Sequence, residues 1–373
     1  MKKLFKIFSV FVVFFIVSIT SLDCFGGVKI LVVATLSTEL KEFGESTVNG
    51  AKLKVDEINR EGGVLGRRVS LVVFDDESNP EKTNKDVSNL LSGGRFVGIV
   101  GAPFSRIAIG LGEVSDKYKI PFISSVATNP LVTKGREYAF RACFTDDIQG
   151  KIASEFIYNE LNGRAGGVLY DISDPYSTYL AGVFKNEFEK LGGKIIAFYP
   201  HPYEPLDFSF PIQKMLSLKV DFVFCPDLYR DASMIYSELR KQGFVGPVVF
   251  GDGVDAPQFL ARVSAPYNAY YISHYSVENE KWRVFVENYW KTYKKEPDIE
   301  AYLAYDAMGI LLEAIRKAGS SKGELVKNSL KNLTYEGITG KIEFRNAHDP
   351  VKPVYVYGFK GSNAYLVKNY TNY

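Results

Sequence analysis

The sequence predicts an α/β protein built from parallel sheets with helices on both faces, and three observations carry that expectation. Strand-like runs alternate with helical periods at short intervals; residues 49–80 read as helix, glycine turn and strand in succession; and 373 residues exceed one compact core, which suggests two domains. In the 49–80 stretch, Val48, Ala51, Val55 and Ile58 recur at spacings of three and four and so share one helical face. Gly62-Gly63 then ends the helix where a left-handed residue costs least. Val69 to Phe74 follows as a nearly continuous apolar run, the pattern of a strand buried on both faces, and closes on Asp75-Asp76.

The remaining strands are read in order at Lys29–Ala34, Phe96–Val100, Pro121–Ser124, Gly166–Tyr170, Lys194–Tyr199, Val220–Cys225 and Pro247–Phe250. Toward the C-terminus, Leu303, Ala307, Ile310 and Ala314 form a helical core stripe, and Gly337 and Gly340 bracket a turn before a strand. In open α/β sheets a ligand crevice lies beyond the carboxyl ends of the strands, so the loops that follow them are the places to look. After Phe96–Val100 comes Gly101-Ala102-Pro103-Phe104-Ser105-Arg106, then a helix carrying Ile107, Leu111 and Val114. Ser105 is read at the cap position, where its hydroxyl and the free N–H groups suit a carboxylate; a plain N-cap is the alternative. Ser124 to Pro130 is a Ser/Thr-rich turn after the next strand, and Gly251-Asp252-Gly253 sets an acid between glycines at the end of Pro247–Phe250.

Lys2, Lys3 and Lys6 followed by the apolar Ile7–Val17 run and Cys24-Phe25-Gly26 look like an export signal cleaved after residue 26. The run is short of the roughly 20 residues a bilayer-spanning helix needs. Lipidation at Cys24 is the less favoured alternative, because Asp23 precedes the cysteine. The expected location is therefore periplasmic or secreted. Removing residues 1–26 brings the formal charge from +2 to zero, and nothing in the composition points to nucleic acid. Cys143 and Cys225 remain, and whether they pair or stay as buried thiols is open. The three histidines, His201, His274 and His348, form no His-x-x-x-His pair, and there is no Cys-x-x-Cys, nucleophile elbow or phosphate loop. No enzyme, cofactor or metal is expected, and Asp75-Asp76 is read as a strand end capping the turn before the helix near Pro80.

The stretch from Asn49 to Asp76 resembles the type I periplasmic binding proteins, in particular the branched-chain amino-acid-binding branch that serves ABC transporters. The likeness continues through Glu296-Pro297-Asp298, Tyr305-Asp306-Ala307, Tyr335 to Phe344 and Asp349 to Pro353. It implies two Rossmann-like, doubly wound lobes joined by a three-crossing hinge near Ala142–Asp146, Ser273–Val277 and Phe344–His348. Lobe one would comprise 27–145 plus 277–345, and lobe two 146–276 plus 346–373. By the resemblance, Ser105, Thr128 and the backbone around Val126 and Ala127 hold a ligand carboxylate, and Asp252 meets its ammonium. Phe43, Tyr176, Tyr302, Tyr229 and Phe104 match or neighbour positions that wall the ligand, and Asp146 either helps bind the ammonium or caps a helix near Ile148. Pro103, Phe104 and Arg106 depart from the small residues of relatives that bind aliphatic amino acids, and Tyr229 sits one place late beside Arg230, which would read an acidic group if it faced the cleft. The implied function is capture of an amino acid, branched-chain or similar, by lobe closure and delivery to an ABC permease by a monomer. A sensor or envelope interaction protein on the same fold, or a binder of a small carboxylate or amide, is the alternative.

Overall fold

The computed structural model describes residues 27–204, 207–361 and 363–371; residues 1–26, the expected export signal with Cys24, lie outside them. The first sheet contains β1 (Val28–Ala34), β2 (Val69–Asp75), β3 (Gly98–Gly101), β4 (Phe122–Ser124) and β5 (Ala139–Arg141), all parallel, in the order β2-β1-β3-β4-β5. The second contains β6 (Ala165–Asp171), β7 (Lys194–His201), β8 (Phe222–Cys225), β9 (Val248–Phe250) and β10 (Ala269–Ser273), whose parallel part runs β7-β6-β8-β9-β10. The two parallel parts are thus wound identically. A small hairpin, β11 (Thr334–Gly337) and β12 (Gly340–Glu343), precedes β13 (Val354–Lys360) and β14 (Asn363–Tyr370), which extend the second sheet in antiparallel fashion beyond β10.

Helices α1 (Lys41–Arg60), α2 (Pro80–Ser92) and α3 (Ser105–Tyr118) belong with the first sheet, and α4 (Asp146–Asn159), α5 (Pro175–Lys190), α6 (Ser209–Ser217), α7 (Tyr229–Lys241) and α8 (Pro257–Arg262) with the second. The chain then returns: α9 (Glu280–Tyr293) packs on α1, while α10 (Ile299–Ala318) and α11 (Gly323–Leu330) cover the first sheet. A Cβ on Gly50 of α1 would lie 1.9 Å from the Ala301 carbonyl, so these two helices meet backbone to backbone.

The helix–turn–strand reading of 49–80 holds in detail. Gly62 and Gly63 take φ of 98° and 80°, and the Gly63 amide closes on the Ile58 carbonyl at 2.8 Å. Asn59 then brackets Val69, accepting from its N–H at 2.8 Å and donating to its carbonyl at 2.9 Å, which fixes where β2 begins. Asp75 accepts from the Leu36 amide and Asp76 from the Thr35 hydroxyl, so both acids tie the end of β2 to the loop after β1. The cap of α2 is Asn79 rather than either aspartate, its side chain accepting from the Lys82 amide. Asp306, on the buried face of α10, receives the Ile338 and Thr339 amides at 3.0 Å each, which holds the turn between Gly337 and Gly340.

Cys143 and Cys225 are both free and buried. Among the described residues, no helix is long and apolar enough to cross a membrane.

Candidate functional site

An order of the type β2-β1-β3 reverses direction between β1 and β3, and a crevice opens where the strands' carboxyl ends diverge. In the first half this places α1, with Phe43, beside the loop entering α3, with Ser105. In the second, the switch between β6 and β8 exposes the loops carrying Asp174 and Leu228, with the β9 loop and Asp252 next to them. These ends face one another across one cavity, lined by Phe43, Phe104, Ser105, Val126, Ala127, Thr128, Asp174, Tyr176, Leu228, Asp252, Ile299 and Glu300, with Pro103 and Gly253.

Ser105 is the first helical residue of α3, not its cap; Phe104 occupies the cap position in extended backbone and supplies no side-chain cap bond. The Ser105 hydroxyl is therefore not consumed by its own helix. Its one close polar neighbour is the Asn129 amide, at a long 3.4 Å. Strain is concentrated just before it: Gly101 has φ 108° and Ala102, a non-glycine, φ 49°. A Cβ on Gly101 would stand 2.3 Å from the Val33 carbonyl, so the close approach of β3 to β1 at the switch point needs glycine.

Arg141, at the end of β5, holds the loop that carries Val126, Ala127 and Thr128. Its fully buried guanidinium donates to the Ala127 carbonyl at 2.8 Å, the Asn129 carbonyl at 3.0 Å and the Thr133 hydroxyl at 2.9 Å, and pairs with Asp349 at 2.6 Å. One side chain thus ties this loop to the segment between β12 and β13.

On the opposite wall, Asp252 is 2% exposed and accepts from the Tyr176 hydroxyl at 2.8 Å and from Nε2 of His274 at 2.9 Å, while its own amide donates to Gln149. Burial, only partly opposed by Asp252, pushes His274 down to about 4, so it donates to Asp252 as a neutral imidazole and adds no positive charge there, while the buried Lys352 is close enough to Asp252 to interact with it electrostatically. A carboxylate offers about four lone-pair sites, and the two used here leave room for a cation. A Cβ on Gly251 would lie 2.2 Å from the Tyr176 oxygen, so glycine at that position is what admits the tyrosine.

Eight of the eleven residues singled out in the sequence line this cavity: Phe43, Phe104, Ser105, Val126, Ala127, Thr128, Tyr176 and Asp252. Three do not. Tyr302 lies two residues beyond Glu300 on α10, about 200° around the helix, so it faces away; it bonds Asp255, packs on Trp282 and lines a separate cavity with Tyr271 and Tyr275. Tyr229 stands edge-on behind Phe43 at 5.0 Å, and Leu228, one place earlier, takes the lining position. Asp146 opens α4 beneath Thr128, in the first turn after Thr145, and burial pushes its carboxyl well above the usual range. Arg230 does not reach the cavity: it pairs with Asp231 at 2.6 Å and Glu39 at 2.8 Å and lies over the Tyr203 ring.

The sequence reading passed over His274, Asp174 and Glu300. His274 follows β10 directly, a strand-end signal, and Glu300 lies inside the Glu296-to-Ala307 stretch that reads simply as the start of a core helix. Asp174 caps α5 and is pushed up to about 6 by burial, with Arg106, 4.0 Å away on α3, opposing the rise. The Arg106–Asp174 and Arg230–Glu39 pairs, a 2.9 Å bond from Asn129 to the Pro175 carbonyl and the Phe43–Tyr229 contact all join the two halves across the cavity mouth. The halves are closed on one another.

The fold is shared with known proteins. A family model described as periplasmic binding protein matches residues 27–364. The Leu/Ile/Val-binding protein homolog 1 of Brucella suis is 26% identical over 318 residues, 84% of this chain and 85% of that protein. The leucine-binding protein LivK of Thermotoga maritima superposes with a TM-score of 0.84 at 28% identity, covering 92% of this chain and 98% of that one. The branched-chain amino acid substrate-binding protein LivJ of Streptococcus pneumoniae, solved with isoleucine, gives 0.84 at 29% identity over 92% and 99% of the two chains.

Proposed function

Because the chain belongs to the periplasmic binding protein family, we propose that it is an exported solute-binding protein that captures an amino acid and passes it to an ABC-type permease. The observation that carries the reading is the composition of the two cavity walls: hydroxyls of Ser105 and Thr128 on one, the Asp252 carboxylate on the other. A zwitterion needs that polarity, with its carboxylate against hydroxyls and loop amides and its ammonium against an acid. Relatives whose names state leucine, isoleucine and valine as ligands support the class of solute.

Lobe one, 27–145 plus 277–345, would close on lobe two, 146–276 plus 346–373, by bending at the three crossings between them. The closed surface is what a permease reads, so ligand and lobe geometry are linked. The working form is a monomer released by cleavage after residue 26, acting outside the cytoplasm and without chemistry on its solute.

A thermal-shift screen of ligand-free residues 27–373 against the twenty amino acids, dicarboxylates and amides tests this. A ligand at a hundred times its Kd stabilises by about 2.7 kcal/mol, so a binding amino acid raises Tm measurably. No amino acid raising Tm, or a response confined to ligands lacking an ammonium, would overturn the reading.

A further inference from the structure

Glu300 is the one acid on the cavity wall with a buried oxygen left over. It is the second residue of α10, is 3% exposed and lines the cavity, and its Oε2 finds no hydrogen-bond partner. A buried polar atom without a partner is costly, and a carboxylate more so. Asp146, beneath Thr128 and off the lining, also has a buried Oδ2 without a partner, but the acids nearest in sequence or on the wall do not share this condition. Asp298 caps α10 and receives the Ser46 hydroxyl at 2.7 Å; Asp255 receives the Ser273 hydroxyl at 2.6 Å and that of Tyr302; Asp252 holds Tyr176 and His274.

Charge counting around the cavity sharpens the point. Among the described residues its lining includes three carboxyl groups, Asp174, Asp252 and Glu300, and no lysine, arginine or histidine; the buried Lys352, off the lining, interacts electrostatically with Asp252. Arg106 stands just outside, 4.0 Å from Asp174 and over the Phe104 ring. A zwitterionic amino acid brings one positive charge, which Asp252 answers, and one negative charge, which the Ser105 and Thr128 side answers. Glu300 remains. With an aliphatic side chain packed against it, its carboxyl stays unpaired; burial, then the nearby charges of Asp298 and Asp252, already push that carboxyl well above its ordinary range. A ligand with an apolar stem and a cationic end fits the whole wall: Phe43, Phe104, Leu228 and Ile299 supply apolar surface for the stem, and Glu300 the counter-charge.

We propose that the solute carries a second cationic group beyond its α-ammonium and that Glu300 receives it, so that the preferred ligand is a diamino or guanidino acid rather than an aliphatic one. This rests on the amino-acid reading above and narrows it. The acid acts by discrimination as much as attraction: an aliphatic competitor must leave a buried carboxyl unanswered, which lowers its affinity without any clash.

The test is calorimetric titration of ligand-free residues 27–373 with lysine, ornithine and arginine, and with norleucine and leucine. Norleucine is lysine without its ε-amine, so that pair isolates the second charge. At least one basic amino acid should bind about tenfold or more tightly than norleucine, the scale of one charge-assisted hydrogen bond. Glu300→Gln, near-isosteric and with its folding checked by its own melting curve, should lose most of that advantage, through weaker binding of the basic amino acid and tighter binding of norleucine. Norleucine or leucine binding the unaltered protein as tightly as the basic amino acids overturns the inference but leaves the amino-acid reading standing. A basic preference that Glu300→Gln leaves intact also overturns it, since another group then reads the charge. No binding by any of the five overturns the inference, and the thermal-shift screen of all twenty amino acids then decides the wider reading. If the variant does not fold, a ratio near one between norleucine and the tightest-binding basic amino acid on the unaltered protein still overturns the inference.

Discussion

Replacing Asp252 by asparagine separates the ammonium clamp from the fold. The carboxylate accepts two bonds, from the Tyr176 hydroxyl at 2.8 Å and from His274 Nε2 at 2.9 Å. An amide keeps one acceptor oxygen for His274 and turns its NH2 toward Tyr176, whose hydroxyl can rotate to accept instead of donate. The local network therefore survives, and the ligand-free protein should lose no more than about 1 kcal/mol. What goes is the negative charge, and with it a charge-assisted bond to the ligand ammonium worth about 1.5–3 kcal/mol. In affinity that is a loss of about 10- to 150-fold. The assay is calorimetric titration with whichever amino acid gives the largest thermal shift, alongside urea unfolding of both ligand-free proteins. A Kd within about twofold of the unaltered protein, in a variant that folds normally, would refute the assignment of Asp252.

Three further outcomes follow from the same geometry. Ser105→Ala removes a hydroxyl that caps nothing and makes only a 3.4 Å contact, so stability should be nearly unchanged while affinity falls by about 1 kcal/mol or more; calorimetry and melting curves on one preparation read both. Arg141→Met leaves the Asn129 carbonyl without its buried donor, at roughly 1–3 kcal/mol, and the Ala127 carbonyl with only the 3.4 Å contact of the Cys143 thiol, so urea unfolding should shift to lower concentration. His201 carries a pH signature. Burial alone would depress it, but the hydrogen bond and charge of Asp227, 3.1 Å away, lift it to about 9. Because the folded value lies above the unfolded one of 6.5, the stabilisation is complete below about 6.5 and is lost as pH rises through about 9. The Tm gap between the unaltered protein and His201→Gln should therefore be widest near pH 6 and close toward pH 9.5; a gap independent of pH would contradict the pairing.

The sequence spoke most clearly where a local signal coincided with a strand end. Gly62-Gly63, Asp75-Asp76 and Gly251-Asp252-Gly253 each mark the finish or start of an element, and each is found there. The strands left unread are those without such a frame. β5 is three residues long, while β10 and β13, rich in tyrosine, pair antiparallel although some eighty residues separate Ser273 from Val354. In the site, the readable residues lie on loops directly after strands. His274, which the sequence does not single out, acts through distance: it meets Asp252 22 positions away, a pairing that leaves no trace in local spacing. Tyr302 shows the converse limit, since its place in a helical stretch was legible but the face it presents was set by how α10 packs. Glu300 is invisible for the same reason.

The central claim is that one amino acid lies between the two halves, its carboxylate on the Ser105 and Thr128 wall and its ammonium on Asp252. A crystal structure of residues 27–373 grown with the strongest-binding amino acid tests it most directly. The expected electron density puts ligand carboxylate oxygens within hydrogen-bonding distance of the Ser105 and Thr128 hydroxyls, and the amino nitrogen on the Asp252 carboxylate. A ligand bound in the opposite sense, or seated outside the cavity lined by Phe43, Tyr176 and Glu300, would contradict it.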